Sequence, residues 1–148
     1  MPPFIRTFLA IDLPDPIKEE ILEVIGKYRE LTKSGIKWVN RENLHITLKF
    51  LGRFSTNHVS ILEECLRSGL ERISAFDLRI DQLGAFPNIN RPKVIWMGFK
   101  RHANLDRVFA EIESCSQKLG YEKEDRPFFP HLTLGRISRN ASLDMFTV

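Results

Sequence analysis

Leu44-His45-Ile46-Thr47-Leu48 and Pro130-His131-Leu132-Thr133-Leu134 are two copies of one pattern. In each, a histidine is followed two places on by a threonine inside an alternating apolar run. Strand side chains alternate between faces, so imidazole and hydroxyl stand ~7 Å apart on one face while Ile46, Leu48, Leu132 and Leu134 point into a core. Thr fills six of the 148 positions, so two of the four histidines each carrying Thr at plus two is about a one-in-a-hundred coincidence on composition. A lone histidine in a strand is most often an ordinary polar residue; the pairing makes a two-histidine site the reading to test.

Around each copy the same order of elements recurs. Ahead of the first, Arg6 to Asp12 reads as a mostly buried strand. Ile17, Ile21, Val24, Ile25, Tyr28 and Leu31 then recur at helical spacing, behind Asp15 as N-cap and Pro16 at the first helical position. The first histidine strand follows from Asn43 to Leu51 and closes at Gly52. In the second half Val94 to Phe99 is a strand, Leu105, Val108, Phe109, Ile112, Cys115 and Leu119 form a helical stripe, and the second histidine strand follows. Ile21, Leu22 and Ile25 align with Val108, Phe109 and Ile112 to within one residue of the motif offset, which reads as an internal duplication. Between the halves lie an amphipathic helix (Val59, Leu62, Leu66, Leu70, Ile73), a strand near Phe76 to Leu83, and a turn-rich connector, Gly84 to Pro92. The expected fold is α+β: bilobal, pseudo-symmetric, built from duplicated βαβ lobes with two antiparallel sheets facing a central cleft and helices outside. One domain is expected over residues 1–148, with halves at roughly 1–52 and 92–136. His45 and Thr47 would come from one wall, His131 and Thr133 from the other.

A chain of 148 residues with 43% hydrophobic and 28% charged residues suits one well-buried core. It has no apolar run approaching the ~20 residues of a membrane span. Met1 to Arg6 lacks the apolar stretch of a secretion signal, so a cytoplasmic protein with no membrane association, acting as a monomer, is expected. Cys65 and Cys115 sit on apolar helical stripes far from any Cys-x-x-Cys spacing, which predicts buried reduced thiols. The formal charge of +3 and a pI near 9.0 favour an anionic partner weakly. Lys49, Arg126 and Arg136 flank the motifs as the cations to meet it. His58 and His102 lack the threonine and lie near helix starts, where capping or solvation is the ordinary role. Trp38 and Trp96 read as packing residues. No acidic or thiol ligand accompanies the histidines at a familiar spacing, so neither metal nor cofactor is expected.

Two imidazoles whose unperturbed pKa lies near 6.5 can hold opposite protonation states at once, one as base and one as acid. That suits in-line displacement at phosphorus, each histidine supplying about 10²- to 10⁴-fold. Thr47 and Thr133 can donate hydrogen bonds to the non-bridging oxygens as charge builds there. His45 is read as the acid and His131 as the base, the pseudo-symmetry leaving the converse open.

The paired His-x-Thr motifs, with Lys37-Trp38-Val39 before the first and Phe50-Leu51-Gly52 after it, resemble the 2H phosphoesterase superfamily. Arg126 to Arg136 is similar to the corresponding stretch of RNA 2′,3′-cyclic phosphodiesterases, also called 2′-5′ RNA ligases. So are Arg91-Pro92-Lys93-Val94-Ile95-Trp96 and the opening strand Arg6 to Ile11. The resemblance implies metal-independent opening of an RNA 2′,3′-cyclic phosphate to a 2′-phosphate, with reverse joining of RNA ends, tRNA fragments among them. It implies His45, Thr47, His131 and Thr133 as catalytic residues, Arg136 as a phosphate-side arginine and Phe50 as an aromatic that stacks on a base. Arg126, on the loop before the second motif, is the further substrate-binding candidate. Strict strand alternation sets Phe50 and Arg136 on the face opposite the histidines unless a bulge near Gly135 re-aims the arginine; Phe50 is equally readable as core. Members of the family continue through another strand pair, whereas this chain reaches Val148 soon after the second motif, so an open sheet edge is expected. Two other functions fit the same fold: a module that only binds nucleotides or RNA ends, and the same chemistry on a small nucleotide such as ADP-ribose 1″,2″-cyclic phosphate or a 2′-5′ oligoadenylate.

Overall fold

The structure is a computed structural model that describes residues 3–32 and 35–138. The order of elements is β1 (Phe4–Asp12), α1 (Asp15–Thr32), β2 (Ile36–Trp38), β3 (His45–Ser55), α2 (Val59–Leu70), β4 (Ile80–Phe86), β5 (Val94–Phe99), α3 (Ala103–Lys118) and β6 (His131–Ile137), with single 3₁₀ turns at Arg41–Asn43 and Thr56–His58. This is an α+β fold with two antiparallel sheets among the described residues. One contains β1 and β3, which run opposite ways, since Thr56 N donates to Pro3 O at the far end of the pair. The other has the order β2-β6-β5-β4, antiparallel throughout. The duplicated order is present: β1-α1-β3 and β5-α3-β6 each place an α-helix between two strands that pair with one another.

The chain divides into two compact units. The first comprises residues 1–10, 47–79 and 100–130. Its core is built from Leu51 and Phe54 of β3, Leu62 of α2 and Cys115 of α3, with Leu9, Val59, Leu66, Leu119 and Tyr121 packed around them. The helical spacing of the apolar residues on α2 and α3 turns both stripes toward each other. They approach so closely that Cys65 and Cys115 form a disulfide, with Cα atoms 5.9 Å apart. Free thiols were expected, and the packing of the two helices overturns that: residues fifty apart in sequence meet at a shared stripe, which no local spacing encodes. The second unit comprises residues 11–46, 80–99 and 131–148. In it Ile21 and Ile25 of α1, Trp38, Leu44, Ile46, Ile95, Met97, Leu132 and Leu134 are buried. Tyr28 of α1 stacks on Trp38 with ring centroids 6.3 Å apart, fixing the helix on β2. Trp38 and Trp96 are both buried, as packing residues should be.

Several boundaries differ from the sequence reading. β3 does not close at Gly52 but runs through it to Ser55, the glycine adopting φ +63, where a side chain would be strained. β4 lies later than expected and takes Gly84 to Phe86 out of the connector. β1 is not mostly buried: only Thr7, Leu9 and Ile11 turn inward, and among the described residues it pairs with β3 alone. The expectation of an open sheet edge after the second motif turns on residues 139–148, which lie outside the described residues.

Gly84 and Gly98 carry an interior constraint. The indole of Trp96 lies across both, and a Cβ on Gly84 would overlap its six-membered ring. Gly84→Ala is therefore expected to destabilise by about 1–3 kcal/mol, as overpacking of a filled site does. Gly26→Ala, in α1 with no atom within 4 Å of the new methyl, should instead stabilise by about 0.5–1 kcal/mol. Chemical denaturation of the two variants checks both signs.

Candidate active site

The second motif opens β6, and its register explains what shares its face. Gly98, Met97 and Trp96 of β5 oppose His131, Leu132 and Thr133 in turn, but the next residue, Ile95, opposes Gly135, and Val94 opposes Arg136. Leu134 is the extra residue of a β-bulge. Without it, Arg136 would lie opposite in phase to His131; with it, Arg136 joins His131 and Thr133 on the face of the sheet that also holds Trp96. Leu132 and Leu134 are buried on the other side, while His131 and Thr133 are half-buried and Arg136 is exposed. The bulge is the feature that reconciles an arginine five places after a histidine with a common face.

This face has an aromatic floor. Phe86 of β4 lies 5.2 Å from Trp96, and its ring meets that of His131 edge-on at 5.2 Å and 87°. The imidazole is thus held against a wall of rings. Sequence reasoning set Phe86 in a connector, since the following Pro87 reads as turn; the strand alternation of Phe86, Gly84 and Gln82 was the signal that could have found it.

The first motif opens β3, with His45 and Thr47 half-buried and Leu44, Ile46 and Leu48 buried, the alternation the pattern predicts. β3 begins in the second unit and passes into the first at Thr47. Asp12, at the end of the partner strand, is the neighbour that the sequence reading missed. Its carboxylate sits 2.9 Å from Lys18 Nζ. That hydrogen bond, then one from the Leu13 backbone and the nearby charge of Lys18, holds it below the ordinary aspartate range, and His45 adds a smaller contribution of the same sign. The end of β1 thus brings a carboxylate into the neighbourhood of the His45 imidazole.

Beyond Leu48 the burial of β3 changes phase. Lys49 is buried and Phe50 is 71% exposed, so Phe50 is not a core residue. Its ring lies 6.1 Å from the exposed Phe8. Together with the loop Gly120 to Arg126 it lines a groove of about 510 Å³. Lys49, expected to face substrate phosphates, does not: its ammonium is paired inside the protein with Glu113. His58 and His102 have structural partners. His102 N-caps α3, its Nδ1 accepting from Asn104 N, and His58 Nδ1 hydrogen-bonds Tyr121 Oη at 2.9 Å.

Comparison with known proteins gives a consistent result. The family model for LigT like Phosphoesterase matches residues 11–96. The chain is 44% identical over 133 residues to a Methanocaldococcus jannaschii protein named RNA 2′,3′-cyclic phosphodiesterase, covering 89% of this chain and 71% of the relative. Among solved structures, a Thermus thermophilus protein superposes with a TM-score of 0.78 at 29% identity, covering 93% of this chain and 77% of that one. E. coli LigT complexed with 3′-AMP superposes with a TM-score of 0.69 at 29% identity, covering 95% and 78%.

The Asp12–Lys18 pair yields a pH expectation. Because the native carboxyl is held low, its contribution to stability is present above about pH 4, where the unfolded carboxyl is ionised. That contribution fades as pH falls through the lower native value. In Lys18→Met the Asp12 carboxyl should titrate higher, nearer an ordinary aspartate, and that part of the acid dependence should disappear. Carbon-detected NMR titration of Asp12 in both proteins measures it.

Proposed function

The chain belongs to the LigT-like phosphoesterase family, and on that premise we propose that it is an RNA 2′,3′-cyclic phosphodiesterase acting without a metal or cofactor. The observation that carries the reading is the pair of His-x-Thr motifs, the second sharing its sheet face with Arg136. In the reaction one imidazole takes a proton from water as its oxygen bonds to phosphorus. The bond from phosphorus to the ribose 3′-oxygen breaks, and the other imidazole protonates that leaving oxygen, so the product is a 2′-phosphomonoester. Thr47, Thr133 and Arg136 stabilise the charge that develops on the non-bridging oxygens. Phe50 supplies a stacking face for a base, and Arg126 a cation for the RNA backbone. With an RNA 5′-hydroxyl in place of water as the nucleophile, the same steps in the same direction form a 2′-5′ linkage.

Residues 1–148 work as one 2H phosphoesterase domain, as a monomer in the cytoplasm, on RNA ends such as those of cleaved tRNA. The support is the chemistry of the histidine pair and the relatives' names; in addition, no described helix is long and apolar enough to cross a membrane.

With chelator present, an RNA ending in 2′,3′-cyclic phosphate should be converted to the 2′-phosphate, with two limbs in the pH profile. His45→Ala or His131→Ala should lower turnover by at least ~10², with RNA binding weakened far less. Thr47→Val and Thr133→Val should each cost roughly 1–3 kcal/mol in transition-state stabilisation. Unchanged RNA that nonetheless binds would make the protein a binding module, and turnover confined to small cyclic nucleotides would transfer the activity to that class.

A further inference from the structure

The two cysteines of the chain stand in unlike surroundings within one unit. On α3 the buried stripe runs through Leu105, Ile112 and Cys115, so Cys115 turns into the core and is only 1% exposed. There it shares a cluster with Leu51 and Phe54 of β3 and Leu62 of α2. Cys65 is half-buried at the margin of that cluster. The disulfide between them thus has one half in the core and the other at its edge. Outside Cys65 the two helices leave an open groove of about 900 Å³. Its lining includes Cys65 but not Cys115, with Ser68 and Arg72 on the side of α2 and Glu111 and Lys118 on α3. Glu64 completes two carboxylates against two cations, so a charged molecule is neither drawn in nor repelled by net charge. Every residue that lines the groove belongs to the first unit.

We propose that Cys65 is a site of thiol–disulfide exchange, at which a dithiol reductant entering the groove opens the bond between α2 and α3 and loosens the first unit. Neither His-x-Thr motif takes part. A thiolate of the reductant bonds to Cys65 Sγ as the bond to Cys115 Sγ breaks; the electron pair leaves with Cys115, which takes up a proton. The second thiol of the reductant, as its thiolate, then attacks the mixed disulfide. Cys65 leaves and is protonated, and the reductant departs as its internal disulfide. Two electrons have passed to the protein, and a disulfide oxidant reverses the sequence. Burial decides both the direction of attack and the class of reductant. A nucleophile reaches Cys65 and not Cys115, so Cys115 is the leaving group. A thiolate released into apolar surroundings is poorly stabilised, which slows the step. The freed Cys115 also stays beside the mixed disulfide and attacks it in return, expelling a monothiol. A dithiol carries its own second nucleophile and completes the reduction. The bond closes a sequence separation of 50 residues, which restricts the unfolded chain; opening it should lower the ratio of folded to unfolded protein by about 10²- to 10³-fold.

The exchange is read on the folded wild type, first oxidised with excess glutathione disulfide. After brief exposure to reduced glutathione, acid quenching, unfolding and alkylation, peptide mapping should find glutathione on Cys65 roughly tenfold or more in excess of Cys115. Attack on the unfolded chain would label the two cysteines about equally and would speed up in urea below the unfolding transition. With dithiothreitol, opening should be proportional to its concentration and unchanged by such urea. Reduced protein should then unfold at lower urea than oxidised protein, by the ratio given above. Equal labelling, preference for Cys115 or urea-accelerated opening would each overturn the proposal. So would coincident unfolding curves for the two redox forms, or two free thiols that persist after the oxidation step. Every one of these readouts is taken without RNA, so loss of the proposed phosphodiesterase activity would leave them unaffected.

Discussion

One additional residue in β6 decides what the second motif can do. Leu134 has no counterpart between Ile95 and Trp96 on the neighbouring strand, and the phase of everything after it is reversed. A regular strand would bury Arg136 on the side of Leu132 and Leu134, where an unpaired guanidinium is costly to hold. The bulge keeps the leucines in the core and turns the arginine to the histidine face. Gly135, where the backbone bends, lies in close contact with β2: a Cβ there would meet Ile36, Lys37 and Trp38 at 3.1–3.2 Å. The bend and the close approach of the edge strand are thus compatible only with a small residue at this position.

The same face depends on large rings lying over missing side chains. Trp96 occupies space left by Gly84 and Gly98, which lowers the aromatic layer onto the sheet and lets Phe86 meet His131 edge-on.

Periodicity made the helices, β5 and β6 legible, because each buries one face and its apolar residues recur accordingly. It also located the four motif residues, since a strand of alternating Leu, Ile and polar residues has only one way to face a core. The features it missed are those where two segments distant in sequence define one environment. Lys49 reads as a free cation until Glu113 and the loop backbone are placed around it. Cys65 and Cys115 read as independent apolar thiols until α2 and α3 pack. Gly52 and Pro87 read as terminators, yet β3 continues through the first at φ +63 and β4 extends to the residue before the second. Asp12 carried no motif at all; only the pairing of β1 with β3 brings its carboxylate near His45.

Charge placement, rather than net charge, separates the two kinds of recognition in this chain. A surplus of three positive charges is too small to draw RNA by its overall field, and one candidate cation, Lys49, is neutralised internally. Arg136 shares a sheet face with His131 and Thr133, and Arg126 lies on the loop that lines a groove with Phe50, so each is a cation at a defined position where a phosphate contact can form. Contacts of that kind fix register along a strand more than they raise affinity. The loop that carries Arg126 also carries Glu122, Glu124 and Asp125 against one further cation, Lys123, so its own charge is negative on balance and a polyanion would gain little from it beyond that single contact.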